Sequence, residues 1–147
     1  MKKIFLIIFV MTISLLMVNL LAKAQCGSNI SWHASKVEFL SPAGILDKED
    51  SEKVTVQTSN AHITIQHGNR DEDILKGDIS NLVCNWKTPF KDGKTSFKTL
   101  LEESSGDTKD AIVNIEGREG KIVITITFES NQGRMIRLSI DNYEETR

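Results

Sequence analysis

The sequence predicts an all-β fold, an antiparallel meander of about eight strands that forms a small barrel or sandwich. Three observations carry this. Beyond position 25 the dominant apolar period is two, the period of a pleated strand. The apolar positions are crowded with β-branched residues, which suit a half-buried pleated surface. Short turn signals recur at the spacing of about 8–12 residues seen in sandwiches and barrels.

The segments follow in chain order. Val37 and Phe39 alternate with Lys36 and Glu38. Val54 and Val56 precede Thr58-Ser59-Asn60, and Ile63 and Ile65 follow, which reads as a hairpin. Leu82, Cys84 and Trp86 alternate with Val83 and Asn85, and a turn over Thr88 to Gly93 leads into Phe97, Thr99 and Leu101. Ala111, Val113 and Ile115 form the next strand, and Gly117-Arg118-Glu119-Gly120 supplies a tight turn. Ile122, Ile124, Ile126 and Phe128 then line one face of the most regular strand, with Val123, Thr125 and Thr127 on the other. Ser130 to Gly133 turns the chain into Ile136, Leu138 and Ile140, completing a three-stranded meander. Asp71 to Ile79 is the one stretch whose spacing suits a helical turn. Ser41 to Ser51, Gly68 to Asp73 and Glu102 to Lys109 read as polar loops.

The first 24 residues differ from the rest. Met1-Lys2-Lys3 is a basic start, Ile4 to Leu21 is uncharged and mostly aliphatic, and Ala22-Lys23-Ala24 places small residues at −3 and −1. This is the layout of a secretory signal peptide cleaved after Ala24, leaving residues 25–147 as one β domain. The expectation is an exported protein, periplasmic or secreted, with no membrane span once the leader is removed. A lipobox would need Leu near −3 and a small residue at −1 relative to Cys26. Lys23 and Gln25 stand there instead.

Removing the leader leaves 15 basic against 20 acidic residues, a net charge of −5. An acidic domain is poorly suited to neutralising phosphates, so nucleic-acid binding is disfavoured. Two cysteines remain, Cys26 and Cys84. In an oxidising compartment they permit one disulfide. The alternative leaves Cys84 an ordinary core thiol on the same face as Leu82 and Trp86, and Cys26 near a frayed terminus.

No constellation of residues reaches the specificity of a catalytic or metal signature, so the chain is read as a non-enzyme without a cofactor. His62 and His67 are five apart on one strand and point to opposite faces. His33 is isolated, and there is no H-E-x-x-H or paired C-x-x-C. Asn69-Arg70-Asp71-Glu72-Asp73 opens like a calcium loop, but Ile74 occupies the place of the required glycine and Ser80 that of the bidentate glutamate. No G-x-S-x-G elbow is present, and Glu102-Glu103 falls in a hydrated loop. Asn29-Ile30-Ser31 fits the N-glycosylation pattern, although the short Met-Lys-Lys leader has a bacterial look.

Two stretches, Cys84 to Lys94 and Ile115 to Ile122, resemble small exported proteins of the Bacteroidetes. The likeness spans most of residues 25–147 but rests on turn chemistry, and the resemblance implies no activity. A likeness to lipocalins is weaker. Their Gly-x-Trp opening is absent, since four residues separate Gly27 and Trp32.

The functional expectation is an exported, non-enzymatic binding or accessory protein of the cell envelope or medium, whose partner is a protein or a small apolar ligand. One alternative is a carrier with an apolar cavity inside a closed barrel. Another is an inhibitor of an exported hydrolase that presents a rigid loop, for which Thr88 to Lys94 is the candidate. Phe39, Trp86, Phe97 and Phe128 are the aromatic residues expected to fill the interior.

Overall fold

The computed structural model describes residues 26, 28–68, 74–129 and 132–146, and these contain eleven strands and no helix. In chain order they are β1 (Asn29–Ala34), β2 (Val37–Leu40), β3 (Leu46–Asp50), β4 (Val54–Thr58), β5 (His62–His67) and β6 (Ile74–Thr88). β7 (Asp92–Glu102), β8 (Thr108–Arg118), β9 (Lys121–Phe128), β10 (Met135–Ile140) and β11 (Asn142–Thr146) complete the set. All pairings are antiparallel, in one sheet of order β11-β1-β4-β5-β6-β7-β8-β9-β10-β2-β3. The all-β meander is therefore present, with two corrections. There are eleven strands rather than about eight, and the sheet is not a closed barrel, because its ladder ends at β11 and β3.

The expected strands form for the expected reason. In β9, Ile122, Ile124, Ile126 and Phe128 are buried while Val123, Thr125 and Thr127 are only half-buried. Ala111, Val113 and Ile115 of β8, and Phe97 and Leu101 of β7, continue the same inner face. The β8–β9 hairpin closes through Glu119 (φ 54°) and Gly120 (φ 78°). Positive φ at both central residues is the two-residue turn whose twist matches the flanking strands.

The strands not expected are those without clean alternation. β3 and β11 are edge strands with charged sequences, Leu46-Asp47-Lys48-Glu49-Asp50 and Asn142-Tyr143-Glu144-Glu145-Thr146. Charge on an edge discourages pairing with other chains and erases the period-two signal. β1 is covered on both faces, with Ser31 as buried as its neighbours Ile30 and Trp32. The helical turn expected near Asp71 to Ile79 is also corrected. Asp71 to Asp73 lie outside the described residues, and Ile74 onward is the start of β6. Residues 1–24, where the leader was read, lie outside the described residues as well.

A β-bulge divides β6. Ser80 pairs with Lys98 and Val83 with Ser96, so one extra residue is inserted at Asn81-Leu82, where Asn81 takes φ 52°. Before the bulge Leu75, Gly77 and Ile79 face inward; after it the inward positions are Cys84 and Trp86. At Gly77 the neighbouring strand comes very close. A Cβ there would stand 2.5 Å from the Leu100 carbonyl oxygen and would also overlap the Thr99 hydroxyl.

The first and last segments bring the sheet's two ends together. β1 and β2 sit near opposite ends of the strand order yet are separated by Ser35 and Lys36 alone. β10 and β11 are separated by Asp141, whose N–H donates to the His33 carbonyl at 2.9 Å. The sheet therefore folds over, enclosing one continuous apolar core from Ile30 to Leu138. On the outer face Glu38 lies opposite Arg137 and accepts a hydrogen bond from its Nε. That bond holds the Glu38 carboxyl below the usual carboxylate range; partial burial opposes the shift and Lys36 adds to it.

Thr99 Oγ1 is buried and has no hydrogen-bond partner among the described residues. Thr99→Val should therefore stabilise the protein by about 1–3 kcal/mol, the cost of an orphaned buried polar group. Gly77→Ala should destabilise it by at least about 1–3 kcal/mol through overpacking. Denaturant melts of the two variants would show opposite signs, and a loss in Thr99→Val would mean that the hydroxyl has a partner after all.

Candidate binding surface at the aromatic end

The histidines are the first candidates for acid–base or metal chemistry. His62 Nδ1 lies 2.7 Å from Asp78 Oδ1, and Ser59 is close by, so a Ser-His-Asp set stands at the β4–β5 turn. It does not form a relay. Ser59 Oγ accepts from the His62 backbone N–H at 2.8 Å and donates to the His62 carbonyl, which makes it a turn-stabilising hydroxyl. The His62 and Asp78 side chains are 72% and 89% exposed, so water screens the pair. His67 faces the other way, 3.9 Å from Glu52, and His33 lies between the hydroxyls of Ser31 and Thr55. No group of three metal-ligating side chains exists among the described residues. The acidic run Asn69 to Asp73 lies outside them, and Ile74 and Ser80 are strand residues of β6.

The core is close-packed at the aromatic end. Trp32, Phe90, Phe97 and Ile115 surround a residual space of about 20 Å³, room for a single water at most. The aromatic residues inside differ in part from those expected. Phe97 and Phe128 are buried, while Phe39 and Trp86 are only partly so; Trp32 and Phe90 take the central places.

These two belong to a cluster that closes one end of the molecule. Phe90 stands edge-on to Trp32 at 5.4 Å, to Trp86 at 5.5 Å and to Tyr143 at 5.4 Å between ring centroids. Trp32 Nε1 donates to Thr58 Oγ1 at 2.9 Å, and Trp86 Nε1 donates to Thr95 Oγ1 at 2.7 Å. Each buried indole N–H is thereby satisfied. Gly117 makes room for Trp86, since a Cβ there would come within 2.6 Å of its ring.

Phe90 reaches this position at a backbone cost. The Lys91 N–H bonds to the Thr88 carbonyl at 3.1 Å, so Thr88-Pro89-Phe90-Lys91 is a β-turn with Phe90 at its third place. Phe90 has φ 51°, a conformation that this turn position ordinarily gives to glycine. A bulky residue at positive φ costs on the order of 1–2 kcal/mol. Burial of the ring, 7% exposed, outweighs that. The turn is also tied laterally, because the Gly120 N–H of the β8–β9 hairpin donates to the Lys91 carbonyl at 3.1 Å.

A covalent tie completes the end. β5 pairs with β6 only as far as Asp78, so the stretch from Asn81 to Thr88 has a ladder partner on one side, β7, alone. The structure joins Cys84 in that stretch to Cys26, with Cα atoms 6.2 Å apart, a separation ordinary for a disulfide. Cys84 is half-buried beside Leu82, which is 37% exposed, rather than enclosed as its alternation suggested. The bond anchors the segment before β1 against the projecting ribbon.

The result is a stiff tip made of two tied turns. Lys87, Lys91, Lys94, Arg118 and Lys121 project from it beside Asp92, Glu116 and Glu119, and all eight side chains are exposed. Two pairs neutralise each other, Lys87–Asp92 at 3.7 Å and Lys94–Glu116 at 2.8 Å. Five cations against three carboxylates make this tip basic on a chain that is acidic as a whole. The sequence pointed to Thr88 to Lys94 but not to the partners that hold it, Trp32, Tyr143 and the Arg118–Lys121 hairpin.

The chain matches no family model. It matches no curated protein. No solved structure matches it either.

Phe90→Ala should cost about 3–5 kcal/mol, as loss of a buried aromatic ring does. Phe90→Gly should cost about 1 kcal/mol less, because glycine accepts positive φ freely. Thermal melts would rank the three proteins, and a glycine variant more stable than the parent would show that strain exceeds anchorage. Reduction of Cys26–Cys84 should accelerate amide exchange in Leu82 to Thr88 while leaving β8 to β10 protected. Uniform acceleration would place the disulfide's effect on the whole fold instead.

Proposed function

We propose that this chain is an exported, non-enzymatic binding protein that engages a protein partner through the Lys87 to Lys94 turn and the adjoining Arg118–Lys121 hairpin. The observation that carries the reading is Phe90. A bulky ring held at positive φ, buried among Trp32, Trp86 and Tyr143, makes an exposed turn rigid before any partner arrives. Pre-organisation lowers the ordering cost of association. Strain of this kind clusters at functional sites.

The remaining geometry supports the same reading. The close-packed core behind Phe90 leaves no room at that end for a carried ligand. The paired cysteines suit an oxidising compartment, consistent with the leader read in residues 1–24. No helix among the described residues is long and apolar enough to cross a membrane. Inhibition of an exported hydrolase is one form this binding could take, with the turn as the inserted element.

The test is site-specific photocrosslinking in cells that export the protein. A benzophenone side chain at Lys91 should give a discrete adduct that disappears in the Phe90→Ala background. The same group at Lys53, exposed at the far end of β4, should give none. Equal adducts from both positions, or none from Lys91, would overturn the assignment.

A further inference from the structure

The opposite end of the molecule is built differently. Here the inner faces of β2, β9 and β10 run out without a cap, leaving an open groove of about 660 Å³. Its floor is apolar. Phe39 and Ile136 are directly paired inward residues that remain partly exposed, and Phe128 closes the end of β9. The adjacent edge strand β3 carries one apolar residue, Leu46, which pairs with Leu40 and stays largely exposed. Opposite Phe39 it brings Lys48, whose ammonium lies 5.7 Å above the Phe39 ring and is tethered to Asp50 at 2.6 Å.

The rim is defined by two touching turns. A Cβ on Gly133 (φ 77°) would meet Pro42 at 3.7 Å, ordinary van der Waals distance, so the β9–β10 and β2–β3 turns abut. Gly133 N–H donates to the Phe128 carbonyl, and Phe128 N–H donates to the Arg134 carbonyl at 3.0 Å. These bonds set Arg134 at the mouth, beside the Phe128 end of the floor. Lys48 is already neutralised by Asp50. Arg134 has no ion-pair partner among the described residues. Asp47 is the one carboxylate among the described residues lining the groove, and it belongs to the adjacent edge strand β3.

From this arrangement we infer that the groove binds a small free apolar carboxylate, its tail on Phe39, Phe128 and Ile136 and its carboxylate on the Arg134 guanidinium. The volume falls in the range of about 300–1,000 Å³ usual for small-molecule clefts. Arg presents a planar fork that matches a carboxylate in two hydrogen bonds. The desolvated tail supplies the non-directional part of the affinity. The site lies at the far end from the basic tip and does not depend on it.

Decanoate, kept below its micelle concentration, is a suitable probe, titrated into the protein purified after expression of the full chain. Amide NMR shifts should move saturably at Phe39, Phe128 and Arg134 to Ile136. Arg134→Gln should weaken binding about tenfold, equivalent to about 1.4 kcal/mol, with an unchanged melting temperature. Arg134→Lys should fall between the two, because the charge remains without the fork. Decanol should bind more weakly than decanoate. Absence of saturable shifts, shifts centred elsewhere, an Arg134→Gln affinity equal to the parent's, or decanol binding as tightly as decanoate would each overturn the inference.

Discussion

The molecule depends on a short covalent link. β1 and β2 occupy nearly opposite ends of an eleven-strand order, yet Ser35 and Lys36 alone connect them. The three Cα steps from Ala34 to Val37 reach no more than about 11 Å, so the ends of the sheet must come together. The Asp141–His33 hydrogen bond repeats this constraint on the partner segment, where β10 passes into β11. Once the ends meet, the inward residues of every strand between them face one another. The complete burial of Val37, Val56, Val113, Ile124 and Leu138 follows from that closure. The hydrophobic effect then stabilises a topology whose shape the link dictates.

The two ends of this folded sheet are closed unequally, and their chemistry differs accordingly. At one end aromatic rings, a disulfide and a turn-to-turn hydrogen bond accumulate around Phe90, so the exposed tip has few conformations to lose. At the other, Phe39 and Ile136 meet Lys48 instead of an apolar partner, and the floor stays open. In the proposed reading the rigid tip meets a protein surface, and the apolar concavity beside Arg134 takes a small anion with a tail. Neither site calls for catalytic machinery. In the grouping of Ser59 with His62 and Asp78, the serine hydroxyl is spent on holding the β4–β5 turn.

Several strands were legible because burial on one face imposes period two. β8, β9 and β10 are each paired on both sides, and their buried Ile, Val and Leu positions recur every second residue, with Ile112 and Val123 on the opposite face. Where that condition fails, so does the signal. β3 and β11 are edges and carry charges; β1 is covered on both sides, so Ser31 is buried alongside Trp32. At the start of β6, Leu75 and Ile79 are four residues apart, which imitates one turn of a helix. The intervening inward position is Gly77, small because Thr99 and Leu100 press against it. A glycine imposed by a neighbouring strand looks, in one dimension, like a break in alternation.

The sequence by itself determined the β class, the central meander and the turn that begins at Thr88, since alternation and turn chemistry act between residues close in the chain. It also limited the disulfide to a single pairing, Cys26 with Cys84. Tertiary structure alone decided that the sheet stays open, that a bulge at Asn81 reverses the inward phase of β6, and that one end is sealed while the other is a groove. The aromatic seal unites Trp32, Trp86, Phe90 and Tyr143, and the groove unites Phe39, Phe128 and Arg134. These residues come from segments far apart in the chain, and their contacts arise only when the sheet curls. No local periodicity encodes that step, because it is set by the two-residue link between β1 and β2 acting on the whole strand order.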